Sequence, residues 1–568
     1  MRPTRRLSSA LLLALAMASC ANPKQTSQHK FKCANDPKFK ERWEHAVIKD
    51  DCPIVDVHTH LFNSRYMPLK HVVKARMWAA GASKPLTLIA NGLGLTDAAA
   101  VLLATRTPAD KYEAAARQKL VDAYLARHGG SALNDVDLFH AMAHSQVSNP
   151  KLDLPFRDRL RGSPEDIGPL EYLAYETFGE GFLVDYIAKW FVHDPADGVS
   201  ANGVASFAVG MMSEEGESLK RMERLFPQVD LFVYQSMDLV PSFYAGHTHA
   251  YSYSRDDNHD DSTHKPAASL PRIRELCKES DGRLIHFVAW NPFRTLNREG
   301  GAVPSLQLVK QAVQNGASGV KFYPPLGYRP SCNDFTGYKK PFFLSEARKQ
   351  WNNRYLGNHP HGRETDVLKQ RAQEMDRVNE ELFAWCADND IPIFSHCNTG
   401  EFRAYYTEEY AENANPAYWE PVLKKHPKLR LCFGHAGGVT DWYGKCAQPS
   451  GHVPGTEKWG ECVRRLCRTY PNVYCEFGIH EDIAHPETAE FIYDTLLREL
   501  PERGDGKWKL ADKVMYGSDY FMPVSVTPKQ YLEGFQRIFS LRGMEIYKAR
   551  FFSGNAMKYL KRKVANRF

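Results

Sequence analysis

The sequence predicts an α/β chain built on a (β/α)8 TIM barrel, with a large helical insertion between its first and second strands. Eight short, β-rich apolar runs recur along the chain. Helical patterns separate most of them. Most of the runs stop at polar or glycine-rich residues, several of them His or Asp. Short runs buried on both sides are what parallel strands look like. Strand alternating with helix eight times points to a closed parallel barrel.

The runs are Ile54–His60, Leu231–Gln235, Leu284–Trp290, Gly319–Tyr323, Ile391–His396, Leu429–His435, Val473–Phe477 and Val514–Asp519. Val303–Asn315 reads as the helix after the third. Met375, Val378, Leu382 and Cys386 mark an apolar stripe before the fifth. Trp459 to Tyr470 precedes the seventh, and Ala489, Ile492, Leu496 and Leu500 precede the eighth. Tyr531–Phe539 follows it. A barrel takes about 250 residues, so 568 leave room for insertions. Residues 63–228 hold helix-like stretches at Tyr112–Arg127, Leu170–Phe191 and Val204–Phe226. They read as a helical insertion or cap. Residues 327–365 form a second insertion after strand four. The apolar stretch 86–104 reads as a buried helix. The barrel itself is expected over 51–62 and 229–568.

The first 19 residues read as a signal segment rather than fold. Arg2, Arg5 and Arg6 precede the apolar run Leu11–Met17, which is too short to span a bilayer. Met17-Ala-Ser-Cys20 resembles the lipobox of bacterial lipoproteins, which implies lipidation at Cys20. An ordinary secretory signal is the alternative. Ala21 and Asn22 follow Cys20, with no Asp at the next position, and resemblance to Gram-negative sorting then implies an outer-membrane lipoprotein facing the periplasm or the cell surface. Residues 20–50 then form a tether leading into a short helix. A lipid on Cys20 would be the chain's one membrane contact. The formal charge of +6 falls to about +3 without those three arginines, too little to imply nucleic acid. Of 12 cysteines, Cys33 and Cys52 are the best candidate disulfide. Cys462 and Cys467 lie on the apolar stripe of a helix and read as core.

The first run reads Ile54-Val-Asp-Val-His58-Thr-His60. Strand alternation puts His58 and His60 on one face, where both can reach a metal. With 22 histidines about one His-x-His is expected by chance. The chain has three, including His247/His249 and His359/His361 in polar loops. Three further residues lift the first above that background. His396 closes run five, His435 closes run six and Asp519 closes run eight. All stand at C-terminal strand ends, where barrel enzymes place catalytic groups. His58, His60, His396 and Asp519 make an N,N,N,O set suited to one divalent metal, Zn²⁺ first, with a position left for water.

Asp56-Val-His58-Thr-His60, Ser395-His396, Gly434-His435-Ala-Gly-Gly438, Tyr516-Gly-Ser-Asp519 and Ser553-Gly-Asn-Ala556 together resemble the amidohydrolase superfamily. The likeness is to the branch containing aminocarboxymuconate-semialdehyde decarboxylase and related hydrolases. It spans roughly 52–62 and 229–560 and omits the 63–228 insertion. It implies metal ligation by His58, His60, His396 and Asp519, and a catalytic rather than ligating His435. Asp519 would also accept a proton from water. His435 would shuttle a proton or steady an oxyanion; a structural histidine is the bland alternative.

Lys321 lies on run four. A carboxylated lysine there would admit a second metal, whereas an unmodified one beside a dication must be neutral or paired with an acid. Tyr323 and Arg329 follow the same strand as candidate substrate contacts, Arg329 as a carboxylate clamp or simply a surface arginine. The loop 247–264 carries His247, His249, His259, Asp260, Asp261 and His264 and reads as solvated or as reaching the site or binding a stray metal. Glu476 reads as a buried, hydrogen-bonded acid. The expected function is a metal-dependent hydrolase that cleaves an amide, ester or lactone of a small molecule with a metal-activated water. A non-oxidative decarboxylase of an aromatic or unsaturated acid is the alternative, and an inactive surface-exposed binding barrel the third.

Overall fold

The computed structural model describes residues 36–61, 108, 111–132, 135–145, 201–238, 270–296, 303–334, 364–399, 408–444, 457–522 and 526–562. The segments expected at 1–35, 86–104, Leu170–Phe191 and 247–264, most of the 327–365 insertion, and both loop His-x-His pairs lie outside these residues. The chain divides into two compact units. One comprises Phe31–Phe62 with Glu215–Phe568, the other Met1–Lys30 with Asn63–Glu214.

The larger unit is the barrel. Its strands are β1 (Val55–Thr59), β2 (Leu231–Gln235), β3 (Leu284–Trp290), β4 (Gly319–Phe322), β5 (Ile393–Ser395), β6 (Leu431–Phe433), β7 (Val473–Glu476) and β8 (Val514–Met515). They pair in sequence order, every pair parallel. Backbone bonds from Val57 N to Tyr516 O (3.2 Å), Asp519 N to His58 O (2.7 Å) and His60 N to Tyr520 O (2.6 Å) join β1 to the chain around β8 and close the ring. The predicted barrel is thus the observed one. All eight runs are strands, several of them shorter than predicted: β8 is two residues, because Tyr516–Asp519 turn away to build the site.

Inside the ring, Val55, Val57, Leu231, Val233, Ile285, Phe287, Phe394, Cys432, Tyr474 and Met515 pack as one core. Side chains from seven strands can meet only in the barrel's interior. A short helix, Asn555–Leu560, adds Ala556, Tyr559 and Leu560 to it, and the Tyr559 hydroxyl donates to Ile393 O (2.9 Å). The register between β1 and β2 shifts between Asp56 and Thr59. Strict alternation would send His58 to the side opposite Val57. The bulge lets both point inward, and His58 packs on Phe394, a member of the inner core (ring centroids 4.6 Å).

The helices that follow take the expected stripes. The helix Glu364–Asp388 buries Met375, Val378, Leu382 and Cys386. Helix Trp459–Thr469 buries Trp459, Cys462, Val463, Leu466 and Cys467. Helix Pro486–Glu499 buries Ala489, Ile492 and Leu496. Helix Pro528–Ile538 opens on a capping box, Thr527 with Gln530. Ahead of the barrel, helix Pro37–Glu44 is capped by Asp36 and buries Phe39 and Trp43, with Phe39 against Tyr493 (5.5 Å). Cys52 is a free, buried thiol, and Cys33 lies outside the described residues.

In the smaller unit the described residues form helices Lys111–His128, Asp135–His144 and Ala201–Met212. Arg117 is buried and donates to Met212 O (2.6 Å). The single helix read over Val204–Phe226 is two, Ala201–Met212 and Glu215–Leu225. Ser213 folds its hydroxyl back onto Val209 O (2.7 Å), which competes with helix continuation. Among the described residues no helix is long and apolar enough to cross a membrane.

Candidate metal centre

His58, His60 and Asp519 come together at the C-terminal pole of the barrel, with ligand atoms all within 4.8 Å of one another. His60 Nε2 lies 3.0 Å and His58 Nε2 3.2 Å from the same oxygen, Asp519 Oδ1. The far nitrogens are held from behind. His60 Nδ1 is 2.9 Å from the carbonyl of Gln235, an oxygen that can only accept. His58 Nδ1 is 2.9 Å from Glu476 Oε1. Both rings therefore carry their hydrogen on Nδ1, and in the neutral rings Nε2 is a lone pair. Burial, reinforced by the charge of Lys321, holds the His58 imidazole well below its ordinary value, so this ring is neutral.

Two imidazole lone pairs and a carboxylate oxygen converging at about hydrogen-bond distance repel one another unless a positive charge sits among them. That donor set fits a borderline cation such as Zn²⁺, and the partners behind it supply the orienting shell such sites use. Lys321 meets part of the need. Its Nζ lies 3.0 Å from His58 Nε2 and 4.2 Å from the Phe394 ring centroid.

His396 stands beside this corner but is in neither of the two metal-compatible clusters found among the described residues. Its Nε2 faces Asn398 O (3.2 Å), which leaves Nδ1 as the lone pair, 3.0 Å from His435 Nε2. His435 in turn gives its Nδ1 hydrogen to Gly478 O (3.0 Å), so its Nε2 is also an acceptor. Burial pushes the His435 imidazole down to about 4, against the pull of Asp519, and drives His396 well below its usual range. The two ring nitrogens thus face each other beside the His58 corner. Tyr323 covers His396 from the side (ring centroids 4.5 Å).

Arg329 has protein partners. Its Nε donates to Asn413 Oδ1 (3.0 Å), and its guanidinium lies 4.6 Å over Tyr418. These partners tie the loop after β4 to the segment after β5.

Glu476 is the site residue that the sequence undervalued. Its Oε1 accepts from His58 Nδ1 and from the backbone of His435 (2.8 Å), and Oε2 accepts from Gly478 N. Burial raises its carboxyl to about 8, although the His435 and Gly478 amides pull the other way. The one available signal was position: Glu476 ends β7, much as the histidines stand at the ends of their own strands. Asp56 lies alongside, accepting from His58 N (3.1 Å) and Ser518 N (2.9 Å), and burial lifts it to about 7. The backbone here is unusual. His435 (φ 60°), Ala436 (φ 48°), Ile479 (φ 62°) and Asp519 (φ 56°) are all left-handed. Each such non-glycine residue costs about 1 kcal/mol, and clusters of them mark functional sites.

Residues 272–562, just over half of the chain, match the family model described as Amidohydrolase. The chain belongs to the amidohydrolase family. Curated proteins give this amidohydrolase no match. Solved structures resemble it remotely. An uncharacterised TIM-barrel protein from Bordetella bronchiseptica is 15% identical over 61% of this chain and 84% of its own, with a TM-score of 0.34. A zinc-bound amidohydrolase from Burkholderia multivorans is 11% identical over 61% and 88%, TM-score 0.33. A 5-carboxyvanillate decarboxylase from Novosphingobium aromaticivorans with bound manganese is 13% identical over 67% and 88%, TM-score 0.30.

Proposed function

We propose that this amidohydrolase is a metal-dependent hydrolase that cleaves an amide, ester or lactone in a small molecule. The observation that carries the reading is the pair of Nε2 atoms, from His58 and His60, aimed at one oxygen of Asp519. These three residues, with His396 beside them, would hold one divalent cation, zinc by donor type. When bound, such a cation polarises a substrate oxygen and acidifies water. The ammonium of Lys321 stands 3.0 Å from a ligand nitrogen, which disfavours a second dication unless that lysine is carboxylated.

The chain supplies the proton chemistry. His435, neutral at pH 7, takes a proton on Nε2 as water attacks and returns it to the leaving group, while Gly478 O keeps the Nδ1 hydrogen in place. Tyr323 and the inner faces of the β4 and β5 strand ends border the space where substrate would lie. Supporting an exported enzyme are the basic and apolar N-terminal residues ahead of Cys20, which lies outside the described residues. We propose that a lipid on Cys20 anchors the enzyme at the outer membrane, facing the periplasm or the cell surface.

The test is a panel of esters, lactones, amides and aromatic carboxylic acids, assayed on protein stripped with chelator and on protein reloaded with zinc. Zinc-dependent product that has gained water is the expected result. Loss of CO₂ from an acid with no water added would move the reaction to a carboxy-lyase, with His435 delivering the proton to carbon. Protein that takes up no metal and turns over nothing would remove the enzyme reading altogether and leave a binding barrel.

A further inference from the structure

We infer that Glu476 is the positioning residue that couples the metal-binding corner to the proton-carrying histidine. The inference rests on the metal-centre reading above. One carboxylate oxygen, Oε1, accepts both the Nδ1 hydrogen of His58 and the backbone hydrogen of His435. The other, Oε2, accepts from Gly478 N, and the carbonyl of that same glycine takes the Nδ1 hydrogen of His435. Glu476 therefore grips His435 at both ends, directly at its amide and through Gly478 at its ring. It also sets which nitrogen of His58 is left to face Asp519.

The fold clears room for this carboxylate. A Cβ on Gly517, after β8, would sit 2.1 Å from Glu476 Oε2. One on Gly478 would meet Oε2 at 3.0 Å and His58 Nδ1 at 3.0 Å. One on Gly434, at the end of β6, would approach Oε1 to 3.3 Å while striking Phe394 at 2.8 Å. Glycines at the ends of three neighbouring strands thus form a cradle around one acid. Glutamine has the same shape but cannot accept on both ends. Whichever way its amide turns, an NH₂ faces either Gly478 N–H or the His58 and His435 hydrogens.

The experiment titrates purified full-length protein with zinc against a chromogenic chelator. Unfolding midpoints of the chelator-treated proteins are measured in parallel. Glu476→Gln is expected to weaken zinc binding about 10- to 100-fold. Gly517→Ala leaves the acid chemically intact but fills its cradle, and is expected to reproduce the loss. A residue that only holds the fold would lower the midpoint and leave the affinity of the surviving folded protein alone. Folded Glu476→Gln with wild-type zinc affinity would overturn the inference. Should that variant not fold, Glu476→Asp, which keeps the charge but withdraws it by one methylene, must weaken zinc at least tenfold, and unchanged affinity there is equally fatal. A wild-type chain that binds no zinc defeats the metal centre itself, and this inference with it.

Discussion

At the scale of single residues, the centre is a set of hydrogen bonds that decide tautomers. His60 is set by Gln235 O, His58 by Glu476, His435 by Gly478 O and His396 by Asn398 O. His58 and His60 each leave a lone pair facing Asp519, while His396 and His435 face each other beside them. Roles then separate by variant. His435→Asn is expected to lower kcat about 10²- to 10⁴-fold on whichever panel substrate responds, with zinc content unchanged. A variant that keeps its turnover would take His435 out of the chemistry. Asp519→Asn, which removes the shared carboxylate charge, is expected to reduce zinc content itself, as read by elemental analysis of the desalted protein.

At the scale of elements, the barrel's helices are held by their inner stripe rather than by surface charge. Helix Trp459–Thr469 shows the contrast. Leu466 is fully buried against the sheet side, whereas Arg465 bridges Glu457 and Glu420 at the surface with a side chain 40% exposed. Leu466→Ala leaves a cavity and should cost about 2–5 kcal/mol, while Arg465→Ala should cost less than about 1 kcal/mol. Urea titrations of the two variants check the order, and equal losses would mean that the helix is held by its ion pairs. The bulge in β1 is the other deciding element, since it turns His58 inward after two valines that already point there. The break that divides Ala201–Met212 from Glu215–Leu225 belongs to this scale too. It falls at Ser213-Glu214, where Ser213 turns its hydroxyl back onto Val209 O.

At the scale of the whole molecule, stability should respond to metal and to pH. A cation bound only by the folded barrel adds about 2.7 kcal/mol at a hundredfold excess over its dissociation constant. The thermal midpoint should therefore climb with zinc concentration and stop doing so in Asp519→Asn. The pH response has a source away from the centre. His286, on β3, is buried, and burial alone depresses its imidazole to about 4. Between about 6.5 and 4 the unfolded chain binds this proton and the folded chain does not. The contribution is thus present above pH 6.5 and is lost as pH falls toward 4. At about 1.36 kcal/mol per unit, the loss approaches about 3 kcal/mol. His286→Leu should flatten the stability profile across that window, and parallel profiles for variant and wild type would assign the acid sensitivity elsewhere.

The sequence by itself determined the architecture and most of the residues at its mouth. Eight apolar runs with helices between them have essentially one closed parallel solution, and polar residues ending such runs must gather at one pole. That is why His58 and His60 could be grouped with Asp519, hundreds of residues away, before any coordinates, and why His435 and His396 belong with them. Tertiary structure alone decided the rest. Glu476 looked like any buried acid, because its importance comes from donors on two other chain segments and on its own strand end, and from a cradle of glycines on three strand ends. Arg329 could be read as a clamp or as a surface arginine, and only the fold sets Asn413 and Tyr418, distant in sequence, against its guanidinium. Period and polarity are local and survive in the order of residues. Which nitrogen carries a hydrogen, and which charge already has a partner, depends on neighbours that only the closed barrel brings within 3 Å.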